Sequence, residues 1–138
     1  LPCVVWQDNI LQKQWLKLAI NCVINPLTAI NKIPNGDIMQ QKYRRTILSI
    51  IDEFIQVAAT QGLDFLKGEL LDLILDVAKK TANNRSSMRS DIENRQLTEI
   101  DYINGYVVRL GEENSLNIAE NKKLCQQIKQ LTKLSNST

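Results

Sequence analysis

Residues 16–27 read L-K-L-A-I-N-C-V-I-N-P-L, a helix-length run that is apolar except at three positions before its proline. Those positions are Lys17, Asn21 and Asn25, each four residues after the last. At roughly 100° of rotation per residue, this spacing aligns them as one narrow line on an α-helix, here called the polar stripe. An ammonium and two carboxamides in apolar surroundings are costly unless something pairs with them. An anionic, oxygen-rich small molecule would suit this set of groups.

A structural explanation of the polar stripe competes with ligand binding. In that alternative, Lys17 extends its charged end to solvent and the two asparagines hydrogen-bond to neighbouring backbone groups. A single buried asparagine is usually of this kind. Three polar groups aligned on one face favour the ligand hypothesis, because no other polar residue lies between them to supply partners.

The composition narrows the class of protein. A chain of 138 residues, of which 43% are hydrophobic, is long enough for one domain with its own core. A net charge of +2 and an aromatic content of 5% do not favour nucleic acid as a partner. The chain has no histidine, which excludes Ser–His triads and most zinc sites. We expect no metal, no membrane span and no signal peptide. The three cysteines lack a C-x-x-C spacing and indicate a reduced, cytoplasmic protein.

Apolar residues recur with a helical period along almost the whole chain, which predicts an all-α domain of five or six helices. The first helix is expected to start near Asp8 or Asn9, and Pro26 to kink or restart it. Gly62 is expected to end the second helix, and residues 98–101 to form a capping box. The remaining helices are expected at about 38–61, 66–78, 86–92, 100–113 and 120–134.

Two blocks of sequence carry a family resemblance. The first is K-L-A-I-N-C-V-I-N-P-L-T-A at residues 17–29, followed by P-N-G at residues 34–36. The second is S-S-M at residues 86–88 with D-I at 91–92, followed by T-E-I-D-Y-I-N-G-Y at 98–106. In order and spacing these blocks resemble the signature of the ketopantoate reductases, the 2-dehydropantoate 2-reductases. The resemblance extends from Trp6 to about Leu124.

The resemblance implies a specific domain organisation. Residues 8–134 would form an all-helical C-terminal domain like that of ketopantoate reductases and 6-phosphogluconate dehydrogenase-type enzymes. Residues 1–7 would end an interdomain connector, and residues 135–138 would be a loose tail. The family's N-terminal Rossmann domain binds NADPH, but none of the five glycines here lies in a G-x-G-x-x-G pattern. We therefore expect the 138 residues alone to be inactive and to need their own Rossmann domain as a partner.

The resemblance also implies a reaction, the reduction of 2-dehydropantoate to pantoate with NADPH on the way to pantothenate and coenzyme A. Lys17 would be the general acid that protonates the substrate ketone. Glu99 would lie on the cofactor side of the cleft. The residues that would hold the substrate are Asn21, Asn25, Asn35 and Ser87.

Two alternatives stay open at the level of sequence. The same lysine and asparagines could serve another 2-oxo acid in a related two-domain reductase. The chain could also be a helical dimerisation module in which the polar stripe is structural, and a homodimer is possible under either function.

Overall fold

The computed structural model describes residues 2–136, with side chains from residue 10 onward. Within these residues the chain forms six α-helices, three 3-10 helices and no strand, which confirms the all-α prediction. The α-helices are α1 (Pro2–Asn31), α2 (Arg44–Thr60), α3 (Lys67–Lys80), α4 (Ser87–Glu93), α5 (Asn104–Glu113) and α6 (Ala119–Asn136). The 3-10 helices are Asn35–Met39, Gln41–Tyr43 and Ile100–Tyr102. Over the part of the chain described, no helix is both long and apolar enough to cross a membrane.

Helix α1 is the central element, since it packs against α2, α3, α4 and α6. The other helices surround it and bury their apolar faces toward one shared core. Burying one large aliphatic or aromatic side chain in such a core contributes roughly 1.5–3 kcal/mol. Fully or almost fully buried core residues include Cys22, Val23, Ile47, Phe54, Ile74, Val107 and Ile128.

Two helices begin at residues other than those predicted. Helix α1 begins at Pro2, not near Asp8 or Asn9, and proline suits a first helical position because its missing N–H would have no partner there. Helix α2 begins at Arg44, not near residue 38, because Gln40 is extended (φ −60°, ψ 143°) between two 3-10 helices. Whether residues 1–7 connect two domains stays a prediction.

Pro26 lies inside α1 and does not end it, so the expected restart is wrong, while the expected kink stays a prediction. A proline at this position removes the N–H that would bond to the carbonyl of Cys22, four residues earlier. That carbonyl instead accepts a hydrogen bond from Nδ2 of Asn104, at 3.0 Å. The helix therefore continues for another turn, to Asn31, with its freed carbonyl satisfied by α5.

The capping box predicted at residues 98–101 is not formed. Thr98 Oγ1 accepts a bond only from the N–H of Ile100, at 3.4 Å, and a 3-10 helix follows instead of an α-helix. The chain then breaks at Ile103 (φ −111°, ψ −98°), and α5 begins at Asn104. This break turns Asn104 into the interior, where it is fully buried.

The C-terminal ends of α2 and α6 agree in part with the predictions. Gly62 follows α2 with a φ of +79°, a left-handed conformation suited to glycine, and confirms the predicted helix stop. Helix α6 extends to Asn136, so residue 135 is helical and not loose. Ser137 and Thr138, also predicted to be loose, lie outside the described residues.

Helix α6 starts on a carboxylate supplied by another helix. Glu53 of α2 accepts bonds from the backbone N–H groups of Glu120 (2.8 Å) and Asn121 (2.9 Å) and from Asn121 Nδ2 (2.8 Å). A carboxylate is stabilising there because the first N–H groups of a helix have no internal acceptor and carry positive partial charge. Asn121 Oδ1 in turn accepts from Asn104 Nδ2 at 2.9 Å. One chain of hydrogen bonds, partly buried at Glu53 and fully buried at Asn121 and Asn104, therefore connects α2, α6, α5 and α1.

The two cysteines described in the core are free thiols. Burial raises the pKa of Cys125 to about 11, and complete burial raises the pKa of Cys22 further. Since the thiolate is the form that alkylates, about one Cys125 thiol in a thousand is reactive at pH 8. We expect the iodoacetamide rate of Cys125 in the folded protein to rise about tenfold per pH unit between pH 8 and 10.

The control is the same protein unfolded in urea. There an ordinary thiol is mostly ionised above about pH 9, so its rate of alkylation by iodoacetamide levels off. Site-resolved mass spectrometry after short labelling times measures the alkylation of Cys125 separately from that of the other cysteines, in the folded and in the unfolded protein. A folded-state rate for Cys125 that levels off by pH 9 would contradict the assigned burial effect.

Candidate functional site

The polar stripe keeps its alignment because α1 is continuous from Lys17 to beyond Pro26. Eight residues at about 1.5 Å each separate Lys17 from Asn25 by roughly 12 Å along the helix. Lys17 is exposed, Asn21 is half-buried and Asn25 is 9% exposed. The expectation that Lys17 lies in apolar surroundings is therefore wrong for this domain, in which the neighbouring Leu18 is itself only half-buried. The exposure of Lys17 agrees with the structural explanation, in which its charged end extends to solvent. The stripe runs from solvent into the interior.

The side chains of the polar stripe have no hydrogen bond or ion pair with any described residue. Other polar residues of α1 do bond to their own backbone: Thr28 Oγ1 donates to the Ile24 carbonyl at 2.7 Å, and Asn31 Nδ2 to the Leu27 carbonyl at 2.8 Å. The structural explanation predicted such bonds for Asn21 and Asn25, and they are not formed. Neither amide is among the buried polar atoms that lack a partner, so both can be reached by water or by a ligand. The role of the stripe in binding a ligand therefore stays a prediction.

Ser87 lies beside the buried end of the polar stripe. The preceding Ser86 caps α4 by accepting from the Arg89 N–H at 3.1 Å, as expected of a serine before a helical turn. Its hydroxyl is also hydrogen-bonded to that of Thr28, at 2.6 Å. Thr28 follows Asn25 by three residues, so this bond holds α4 against the last turn of the stripe. Ser87 is exposed as the first residue of α4.

Asn35 reaches the same end of α1 from a different segment. Its Nδ2 donates to Thr81 Oγ1 at 3.1 Å, while its Oδ1 is buried and has no partner among the described residues. Its backbone N–H donates to the carbonyl of Asn84 at 3.0 Å, three residues before Ser87. Asn35 is 8% exposed, so the free Oδ1 is a desolvated acceptor.

Gly36 explains why this segment can approach the end of α3. A Cβ on Gly36 would lie 2.6 Å from the Cβ of Ala82, closer than two carbons can pack. The Gly36 N–H donates to the Ala82 carbonyl at 3.1 Å, so the two backbones are in direct contact. The Asn-Gly pair, ordinary turn chemistry on sequence grounds, is needed here for the position of Asn35.

Glu99 is not joined to the other predicted residues by any hydrogen bond or ion pair of its side chain among the described residues. It is exposed and precedes the 3-10 helix Ile100–Tyr102. A groove of about 350 Å³ separates that segment from α1, and Leu18 and Tyr102 lie on its two sides. The structure thus places Asn35 and Ser87 on segments that pack near the C-terminal part of α1, which carries Asn25, while the substrate role of all three and the cofactor-side role of Glu99 stay predictions. In residues 10–136, no group of histidine, cysteine or carboxylate side chains could hold a metal ion.

Asn104 is the residue near this site that sequence reasoning missed. It bonds to α1 between Asn21 and Asn25, at the Cys22 carbonyl. A signal for it is present in the sequence: a proline inside an apolar helical run leaves one carbonyl without a donor. Which residue supplies that donor depends on the tertiary structure, since Asn104 lies 82 positions further along the chain.

Comparison with known sequences gives a family match over most of the chain. The model of the C-terminal part of the ketopantoate reductases (PanE/ApbA) matches residues 9–132. A 2-dehydropantoate 2-reductase from Vibrio cholerae is 42% identical over 131 residues, which cover 95% of this chain and 44% of the Vibrio protein. The chain thus spans less than half the length of such relatives.

Solved structures share the same fold. The crystal structure of a proposed 2-dehydropantoate 2-reductase from Enterococcus faecalis superposes with a TM-score of 0.87 at 26% identity, over 93% of this chain and 42% of that one. A D-mandelate dehydrogenase solved with NADH and anilino(oxo)acetate superposes with a TM-score of 0.83 at 25% identity, over 88% of this chain and 40% of that one. In both, the matched region is a minor part of a longer enzyme.

Proposed function

We propose that this chain, which belongs to the ketopantoate reductase family, supplies the proton donor and the substrate-binding side chains of a 2-dehydropantoate 2-reductase. It corresponds to the C-terminal helical part of that family. The reaction would be the reduction of 2-dehydropantoate to (R)-pantoate with NADPH, a step toward pantothenate and coenzyme A. The partner would be the enzyme's own N-terminal Rossmann domain.

One observation carries this proposal. The polar stripe presents an ammonium and two carboxamides on one continuous helix, and none of the three has a partner among the described residues. Asn25 is nine-tenths buried, yet its amide atoms are not among the buried atoms that lack a partner, so a ligand can reach them. A ligand with several oxygen atoms would pair with all three groups. A 2-oxo acid has a carboxylate and a ketone on adjacent carbons and fits that description.

Lys17 is the group suited to the chemistry. When the ketone carbon is reduced, negative charge develops on its oxygen, and an ammonium nearby stabilises it. The same Nζ then donates the proton that turns the alkoxide into a hydroxyl. In this domain Lys17 has no carboxylate partner among the described residues that would compete for the ammonium.

The neutral residues would hold the substrate in place. Asn21 and Asn25 can donate to the carboxylate or ketone oxygens without changing charge. Asn35 would contribute at the closed end of the site, where its Oδ1 is buried without a partner among the described residues, and the exposed Ser87 hydroxyl can bond at the opening of the site. A buried polar group that is satisfied only by the correct substrate also discriminates against analogues lacking the matching group.

NADPH would supply the hydride when bound, but the described residues do not fit as its holder. They include no strand followed by a glycine-rich turn, the element that cradles a dinucleotide pyrophosphate. Glu99 is the one residue that family resemblance places on the cofactor side. We therefore assign to this chain only the binding of the oxo acid and the transfer of the proton.

A second candidate is a reductase for another 2-oxo acid. It is favoured by the superposition on a D-mandelate dehydrogenase, whose structure contains anilino(oxo)acetate. Both candidates use the same side chains of α1 and differ in the group attached to the oxo acid. A dimerisation module without catalysis is the third possibility, and it alone assigns no chemistry to Lys17.

The discriminating experiment measures kcat/KM of the full-length enzyme with NADPH across a panel of 2-oxo acids. We expect 2-dehydropantoate to be preferred by at least about tenfold, since each matched buried polar group contributes roughly a factor of ten or more. A higher kcat/KM for phenylglyoxylate or another 2-oxo acid would support the second candidate instead. The control is the 138-residue polypeptide alone, for which we expect no turnover.

A further inference from the structure

Pro26 creates a defect in the middle of the polar stripe. Proline has no N–H, and its ring crowds the carbonyl four residues earlier, so a proline inside a helix normally bends it. Here the affected carbonyl belongs to Cys22, between Asn21 and Asn25. A bend at this point would rotate Asn25 away from the line that Lys17 and Asn21 define.

Asn104 repairs that defect from another helix. Its Nδ2 donates to the Cys22 carbonyl at 3.0 Å, which is the bond that Pro26 cannot make. Asn104 is fully buried, and no water can take over this bond from the surface. The contact spans 82 positions of sequence, so it fixes α5 against the one turn of α1 that is weakened.

The amide of Asn104 is itself held in orientation. The same Nδ2 donates to Asn121 Oδ1 at 2.9 Å, so both of its hydrogens have acceptors. Asn121 is oriented in turn by Glu53, whose Oε1 accepts from Asn121 Nδ2 at 2.8 Å. These two hydrogen bonds prevent the amide of Asn104 from turning its oxygen toward the carbonyl of Cys22.

We propose that Asn104 is a positioning residue for the reductase reaction, because its amide replaces the N–H missing at Pro26 and keeps the two halves of the polar stripe in register. It touches no substrate and acts through the backbone of α1. The inference rests on the proposed function, since it assumes that Lys17 and Asn25 act on one substrate molecule.

The test is a rescue in the full-length enzyme. Asn104→Leu keeps the size of the side chain and removes the donor; we expect kcat/KM for 2-dehydropantoate to fall by about ten- to a hundredfold, as for small misplacements of reacting groups. Pro26→Ala restores an N–H for the Cys22 carbonyl inside the helix. In the double variant we expect kcat/KM to return to within about threefold of the wild type. Its Tm should stay low, because Asn121 Oδ1 still lacks its donor.

Gly68→Ala is the matched control for a general gain in stability. Gly68 is the second residue of α3, and a Cβ added there meets no atom within 4 Å. The substitution should stabilise its helix as Pro26→Ala does, yet supply no donor to Cys22. We expect Asn104→Leu with Gly68→Ala to remain slow. Equal recovery of kcat/KM with either second substitution, or a kcat/KM of the Pro26→Ala double variant as low as that of Asn104→Leu, would overturn the proposal.

Hydrogen exchange separates this proposal from the proposed function. The amides of residues 27–30 in α1 should exchange faster in Asn104→Leu and regain protection when Pro26→Ala is added. If the wild-type enzyme reduces no 2-oxo acid while this exchange pattern holds, the proposed function fails and the repair of α1 stands. Unchanged protection in a folded Asn104→Leu variant contradicts the positioning role itself.

Discussion

Lys17→Ala in the full-length enzyme should lower kcat for 2-dehydropantoate by about a hundred- to ten-thousandfold, the range for loss of a general acid. The enzyme should fold normally, because Lys17 is exposed and makes no hydrogen bond or ion pair with the described residues. A large loss of turnover with an unchanged Tm is the signature of a residue used for chemistry. Steady-state kinetics and thermal unfolding of the same preparation measure both quantities.

Lys13→Ala is the control for charge. Lys13 is also exposed on α1, one turn before Lys17, and its removal changes the net charge equally. We expect its kcat to stay within about threefold of the wild type, because a single surface charge contributes little. Normal turnover in Lys17→Ala, especially with reduced stability, would contradict the catalytic role and favour the dimerisation hypothesis.

Glu53→Ala should destabilise the protein by about 3 kcal/mol, because hydrogen bonds to a charged acceptor are among the stronger ones and three donors lose their partner together. Those donors are the backbone N–H groups of Glu120 and Asn121 and the amide of Asn121. The N–H groups of Glu120 and Asn121 then lose their acceptor, while Ala119 N–H keeps its bond to Asn117 Oδ1. Urea unfolding at equilibrium, followed by circular dichroism, measures the difference.

Asp52→Ala provides the matched control on the same helix. Asp52 pairs with Lys67 at 3.0 Å, but both side chains are about half exposed, at 49% and 47%. Surface ion pairs of this kind are worth about 1 kcal/mol or less. If Asp52→Ala costs as much as Glu53→Ala, the hydrogen bonds of the partly buried Glu53 are not what stabilises α6.

Parts of the site could be read from the sequence because they depend on local periodicity. The alignment of Lys17, Asn21 and Asn25 follows from spacing alone, provided that the helix is continuous. Ser86 as a helix cap follows from its chemistry and its position before a helical turn. Both features involve residues close in sequence, so neither depends on how the helices pack.

Other parts required contacts between distant segments. That Lys17 is exposed while Asn25 is buried depends on where α4 and the 3-10 helix Asn35–Met39 cover α1. Helix α5 begins at Asn104 and not near residue 100, because the chain breaks at Ile103. The predicted cap at Thr98 gave no indication of this break. Helix boundaries at such points are decided by packing rather than by capping residues.

The sequence by itself determined an all-α domain and a line of polar groups on its first helix, because both follow from a period of 3.6 residues. It also indicated a defect, since Pro26 must leave the Cys22 carbonyl without its intrahelical donor. Only the tertiary structure decided what compensates for this defect: Asn104, brought from 82 positions away, supplies the missing donor. The physical reason is that a buried carbonyl has to be paired, and its partner can come from any segment that the fold brings within hydrogen-bond distance.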